Sequence, residues 1–119
     1  MFLAHGPISY LANEIIQKKK ISHLKFHEQL LVSILAILFG ILPDIDLLIL
    51  PMFSIPQFSH HNYFTHAPLF YLGLWLLLKL NVYIFDRIVN KKTSAVLHHD
   101  LMDVILNTFL IATMIHFLA

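Results

Sequence analysis

A long stretch of this chain is almost free of charge, and that constrains its fold more than any other feature. From Gln29 to Leu78 the charged side chains, histidines aside, are Asp44 and Asp46 alone. Of the 119 residues, 58% are hydrophobic and 13% charged, against about 45–50% and about 25% in soluble domains. So few polar groups cannot cover the surface of a chain this short. The sequence predicts a membrane-embedded protein; the alternative is a soluble helical core.

Four apolar segments predict an all-α fold, a membrane-embedded bundle of about four helices forming one domain over residues 1–119. The segments share an aliphatic and aromatic composition and cover residues 2–17, 30–42, 68–85 and about 95–119. The first is short and amphipathic, and Gly6-Pro7 is expected to interrupt it. Because about 20 residues are needed to cross about 30 Å of hydrocarbon, the second must extend back to Phe26 and the third on to Ile88.

The basic residues predict how these helices are oriented. They lie in two connections, one between the first and second segments and one between the third and fourth: Lys18, Lys19, Lys20 and Lys25, then Arg87, Lys91 and Lys92. The connection over residues 43–67 has no lysine or arginine. Since basic loops stay on the cytoplasmic side of a membrane, the middle connection is expected on the opposite side.

This topology gathers side chains with metal-binding chemistry at one face. If all four segments cross, the non-cytoplasmic face receives His5, Asp44, Asp46, His60, His61, His66 and His116. Imidazole and carboxylate ligands without thiolate suit Zn²⁺, and also Mn²⁺ or Fe²⁺. The alternative for "HHNYFTHAP", residues 60–68, is an interfacial loop whose histidines and aromatic rings lie at headgroup level.

The two aspartates follow Pro43, which is expected to end the second helix. In an extended backbone Asp44 and Asp46 would point the same way, and both could face one ion. In a helical backbone they would diverge by about 200°, and one alone would be a direct ligand. Both geometries are compatible with the sequence.

Two further features favour ordinary roles. His99 and Asp103 are four residues apart and could share a helical face, but Asp100 and Asp103 are more typical of a solvated, acidic helix start. Lys18, Lys19 and Lys20 are interpreted as contacts to anionic lipid and as topology determinants. The net charge of +1 gives no sign of nucleic-acid binding.

The motifs "MFLAH", "LPDID", "HHNYFTH" and "IHFLA" occur in this order along most of the chain. Together they resemble the YdjM-like family of bacterial inner-membrane metal-dependent hydrolases. The resemblance implies a multi-pass inner-membrane protein with a metal site formed by His5, Asp44, Asp46, His61, His66 and His116. Two departures stand out: Asn62 replaces an arginine that many relatives carry, and the aspartate of a helical H-x-x-x-D motif is missing. We therefore expect the natural chain to continue with aspartate after Ala119.

If the protein is an enzyme, the expected reaction is metal-assisted hydrolysis of a phosphate or acyl ester near the bilayer surface. Such a substrate would be a lipid or a lipid-linked phosphoester. One of Asp44 and Asp46 would bind the ion, and the other would accept the proton of the attacking water. The alternatives are a metal-binding structural membrane protein without catalysis and a small transporter, although no internal repeat supports the latter.

Overall fold

The computed structural model describes residues 2–45, 67–89 and 96–118. These residues form four α-helices and one 3₁₀ turn, without a strand in the described ranges, so the predicted all-α bundle is confirmed. The helices are α1 (Phe2–Ser22), α2 (Phe26–Ile41), α3 (Pro68–Val89) and α4 (Val96–Leu118), and the 3₁₀ turn (Leu42–Asp44) directly follows α2.

Three of the described helical stretches are long and apolar enough to cross a membrane. They are Phe26–Asp44, Pro68–Ile88 and Asp100–Leu118. Their outer faces expose large aliphatic and aromatic side chains; Leu69, for example, is 79% exposed. Continuous exposed apolar surface is unfavourable in water but is what a bilayer requires. This is the pattern of a multi-pass membrane protein.

Helix α1 is one continuous helix, so the interruption expected at Gly6-Pro7 is wrong. Pro7 lies inside the helix and removes one backbone hydrogen bond near its start. Gly6 is needed there because α2 packs directly against it: a Cβ atom on Gly6 would lie 2.9 Å from Cγ2 of Ile37. The loss of one hydrogen bond is thus offset by a close helix contact.

A second glycine brings the two helices together one helical turn further along α1. A Cβ atom on Gly40 of α2 would overlap the side chain of Ser9, lying 2.6 Å from its Cβ, and would be 2.9 Å from the carbonyl oxygen of His5. Helices with a glycine at the crossing approach more closely than larger residues allow. The backbone of His5 is thereby held against the end of α2.

A row of polar residues joins α1 to α4. Its members recur every four residues along α1 and therefore lie on one face of the helix. They are His5, Ser9, Asn13 and Gln17. Ser9 Oγ donates to the carbonyl oxygen of Ala112 at 3.1 Å, and Gln17 Nε2 donates to Thr108 Oγ1 at 3.0 Å. Hydrogen bonds between membrane helices contribute about 0.6–2 kcal/mol each to the stability of the helix pair. They also fix the axial position of one helix relative to the other.

The far end of the bundle carries Lys18, Lys19, Lys20, Lys25 and Arg87, and we call it the basic end. There Asp103 of α4 accepts hydrogen bonds from Lys20 Nζ of α1 at 2.8 Å and from Lys79 Nζ of α3 at 2.7 Å. The side chain of Asp103 is 29% exposed. The interpretation of Asp103 as part of a solvated helix start is therefore wrong, because the carboxylate joins three helices.

Candidate metal centre

Three of the predicted ligands meet at the opposite end of the bundle, which we call the histidine end. His5 comes from α1, Asp44 from the 3₁₀ turn and His116 from α4. Nδ1 of His5 lies 3.1 Å from Oδ2 of Asp44, and Nε2 of His116 lies 3.4 Å from Oδ1. One ligand atom from each of the three residues lies within 4.8 Å of the others. We call these residues the His–Asp–His group.

The local backbone explains how Asp44 reaches this position. Pro43 is buried and lies in the first turn of the 3₁₀ segment that tightens the end of α2. The backbone remains helical through Ile45, with φ −62° and ψ −25°. Of the two geometries compatible with the sequence, the chain adopts the helical one up to this residue. Asp44 is 6% exposed and points into the bundle end instead of toward the surroundings.

The hydrogen bond of His116 determines its tautomer. Nδ1 of His116 lies 2.9 Å from the carbonyl oxygen of Gly40, and a carbonyl can only accept, so Nδ1 carries the proton. In a neutral imidazole Nε2 then has a lone pair, and this atom faces a carboxylate oxygen of Asp44. Nε2 of His116 and Oδ1 of Asp44 are then both hydrogen-bond acceptors, 3.4 Å apart. They attract each other only when a cation, either a proton or a metal ion, lies between them. A ligating histidine that donates its other N–H to a backbone carbonyl is common in metal sites.

The spacing of the His–Asp–His group fits a small divalent ion. Ligands about 2.0–2.1 Å from a tetrahedral Zn²⁺ lie about 3.3 Å from one another. The two imidazole–carboxylate distances, each to a different oxygen of Asp44, are 3.1 and 3.4 Å, and the three ligand atoms of the group lie within 4.8 Å of one another. The rings of His5 and His116 meet edge to face, with centroids 4.2 Å apart and planes at 68°. The two rings therefore approach the carboxylate from different directions, as ligands around one ion do. The group can bind a metal ion.

The structure does not describe the remaining predicted site residues. Asp46, His60, His61 and His66 lie outside the described residues, so their predicted roles as ligands stay predictions. The other histidines of the chain are His23, His27, His98 and His99; the first two are exposed side chains at the basic end. For His98 and His99 the structure describes the backbone of α4 alone.

Sequence reasoning missed the residues that hold the group together. One is Gly40, whose carbonyl oxygen accepts a hydrogen bond from His116. Sequence reasoning also missed the polar row, whose signal was visible: serine, asparagine and glutamine follow His5 at intervals of four residues. A polar row of that period along a helix predicts a buried interface with another helix.

Fold and site together define an all-α, multi-pass membrane protein with a largely buried histidine–aspartate group that can bind a metal ion. No protein-family model matches this chain. No curated protein and no solved structure matches it either. The resemblance to the YdjM-like family therefore rests on the motifs quoted above and stays a prediction.

Proposed function

We propose that this protein is a membrane-bound metal-dependent hydrolase that cleaves a phosphate or acyl ester near the bilayer surface. The observation that carries the proposal is the His–Asp–His group, in which Asp44 presents one carboxylate oxygen to each of two imidazoles. A divalent ion bound there would polarise the ester and lower the pKa of a coordinated water, to about 7 in favourable Zn²⁺ sites. The proposed ion is Zn²⁺, with Mn²⁺ and Fe²⁺ as alternatives of the same ligand chemistry.

The chain's own residues have separate roles in this proposal. Asp44, His5 and His116 bind the ion, and the Gly40 carbonyl oxygen keeps the His116 ring in place. Asp46 is the proposed proton acceptor, an assignment that rests on the "LPDID" sequence alone. With Asp44 committed to the ion, the neighbouring carboxylate is the group available to accept a proton from the attacking water.

The proposed substrate class follows from where the group lies. His5 is in the second turn of α1, and His116 is in the last turn of α4, so the group is at an end of the membrane-spanning bundle. An ester carried by a lipid or lipid-linked molecule would reach this depth from the bilayer surface. The resemblance to inner-membrane hydrolases supports the same class and the bacterial inner membrane as location, with the site on its non-cytoplasmic face.

The second candidate is a structural metal site without catalysis. It is favoured by one observation: the three residues of the His–Asp–His group come from α1, the 3₁₀ turn and α4, so an ion would join three separate elements. Metal binding that is coupled to folding stabilises a protein by itself. Such a protein would bind the ion tightly and hydrolyse nothing.

One experiment separates the two candidates. The detergent-purified protein is stripped with a chelator, reloaded with Zn²⁺, Mn²⁺ or Fe²⁺, and assayed with phosphomonoesters, phosphodiesters and carboxylic esters. For a hydrolase, Asp46→Asn retains the metal but loses at least about 100-fold in activity, in the range of lost acid–base catalysis. Asp44→Asn loses both metal and activity, whereas Asp100→Asn, at the basic end, keeps both. Metal binding that raises the melting temperature, with every ester left intact, would favour the structural site instead.

A further inference from the structure

A groove runs along the outside of the bundle between α1 and α4. Its volume is about 620 Å³, within the range of about 300–1,000 Å³ that is common for ligand pockets. The apolar part of its walls is formed by Ile15 and Ile16 on α1 and by Leu110 and Ile111 on α4, beside the polar side chains of Gln17 and Asn107. Leu110 and Ile111 belong to a helical stretch long and apolar enough to cross a membrane, so this wall of the groove is part of a candidate membrane span.

One end of the groove is basic. Lys18 and Lys19 line it and are exposed, in the last turns of α1. Lys20 also lines the groove, but its ammonium group pairs with Asp103 at 2.8 Å. In the part of the chain that the structure describes, neither Lys18 nor Lys19 forms an ion pair. Their aliphatic stems can lie along apolar surface while the ammonium groups reach the membrane interface.

We propose that this groove binds one anionic phospholipid. An acyl chain lies against Ile15, Ile16, Leu110 and Ile111, and the phosphate lies between Lys18 and Lys19. The arrangement of charge selects the occupant. A phospholipid is the molecule of a bilayer that is apolar along its length and negatively charged at one end, as the groove requires. A zwitterionic lipid has the same shape but carries its own cation, so it gains less from two lysines.

The groove is separate from the His–Asp–His group. Lys18 is thirteen positions after His5 on α1, which corresponds to about 20 Å along the helix. A lipid phosphate at Lys18 is therefore remote from Asp44 and is not a substrate presented to it. The proposal is independent of the hydrolase proposal, and each can fail without the other.

The test is native mass spectrometry of the full chain in detergent, titrated with phosphatidylglycerol or with phosphatidylcholine of the same acyl chains. A lysine near a membrane surface contributes about a fivefold gain in affinity for anionic lipid, so two predict a preference of about 25-fold for the first phosphatidylglycerol. The double variant Lys18→Gln/Lys19→Gln should reduce this preference to about twofold or less. The matched control, Lys25→Gln/Arg87→Gln, removes two charges from the basic end outside the groove and should leave the preference intact.

Four results would overturn the proposal. One is an equal affinity of the unmodified protein for the two lipids. Another is an equal loss of preference in both double variants, which would indicate a general surface charge effect. The third concerns the apolar walls: Leu110→Trp fills the groove and should weaken binding of the first lipid of either kind, so unchanged binding would place the lipid elsewhere. Displacement of the lipid by inorganic phosphate alone would likewise exclude a role for the walls.

Discussion

His116 of α4 donates its Nδ1–H to the carbonyl oxygen of Gly40 on α2, at 2.9 Å. This bond joins two residues that are 76 positions apart in the sequence and lie on different helices. It also turns the other ring nitrogen toward Asp44. A backbone carbonyl at the end of α2 thus decides which nitrogen of His116 faces Asp44.

His116→Ala should lower the affinity for Zn²⁺ by at least about 100-fold, because it removes a direct ligand. Substitution of a residue that only hydrogen-bonds to a ligand already lowers metal affinity by about 10–100-fold. Isothermal titration calorimetry on chelator-stripped protein measures this. His27→Ala, which changes an exposed histidine at the basic end, is the control and should bind Zn²⁺ as the unmodified protein does. Equal affinities in the two variants would show that His116 is a buried core histidine and not a ligand.

Gly40→Ala should disrupt the site without touching a ligand. The added Cβ would overlap Ser9 and press on the backbone of His5, so α1 must move away from α2. Overpacking of this kind costs about 1–3 kcal/mol in unfolding free energy, and the displaced His5 should weaken metal binding as well. Both effects are measurable, by denaturant titration in detergent and by metal titration.

Gly73→Ala is the matched control for this substitution. It makes the same chemical change in α3, where an added Cβ would meet nothing within 4 Å. It should leave metal affinity unchanged and stabilise the helix slightly, by up to about 1 kcal/mol. If both glycine variants bind metal normally, close contact between α1 and α2 is not what positions His5.

Asp103→Asn should destabilise the bundle at its basic end, because it leaves the ammonium groups of Lys20 and Lys79 without their anion. Breaking a fully buried pair costs about 3–5 kcal/mol and exposed pairs contribute about 0–1, so these half-exposed pairs should cost about 1–3 kcal/mol. The measurement is unfolding free energy in detergent. Asp100→Asn, an exposed carboxylate three residues earlier, should have almost no effect.

A second substitution identifies the cause of that loss. Lys79→Leu should recover part of the stability of Asp103→Asn, because it removes one of the two unpaired charges. If the double variant is less stable than Asp103→Asn alone, the Lys79 side chain contributes mainly through packing, for example over the ring of Trp75, where its Nζ lies 5.1 Å from the centroid.

The predicted topology can be tested with single cysteines, since the chain has none of its own. Ser22→Cys at the basic end and Ser54→Cys in the connection without lysine or arginine should react with an impermeant thiol reagent from opposite sides of the membrane. Ser54 lies outside the described residues, so this expectation rests on charge distribution alone. Labelling of both from the same side would contradict the assignment of the His–Asp–His group to the non-cytoplasmic face.

Much of the helix pattern could be predicted because its causes are local. Pro43 and Pro68 mark the end of α2 and the start of α3, and the apolar composition between such boundaries predicts membrane helices. The convergence of His5, Asp44 and His116 was also predictable, since the charge distribution of the connections indicates which helix ends lie on the same side. The roles of Lys20, Lys79 and Asp103 were not, because a salt bridge among three helices depends on their lateral arrangement.

The sequence by itself determined that this is an all-α membrane protein and which helix ends share a face, because hydrophobicity, proline and charge act on each segment separately. Only the tertiary structure decided which atoms meet there. The contact of Gly40 with Ser9 and His5, and the bond of His116 to Gly40, join segments more than 30 residues apart. Such contacts depend on how closely and at what axial position whole helices pack, and that is set by the complementary shapes of two helix surfaces together.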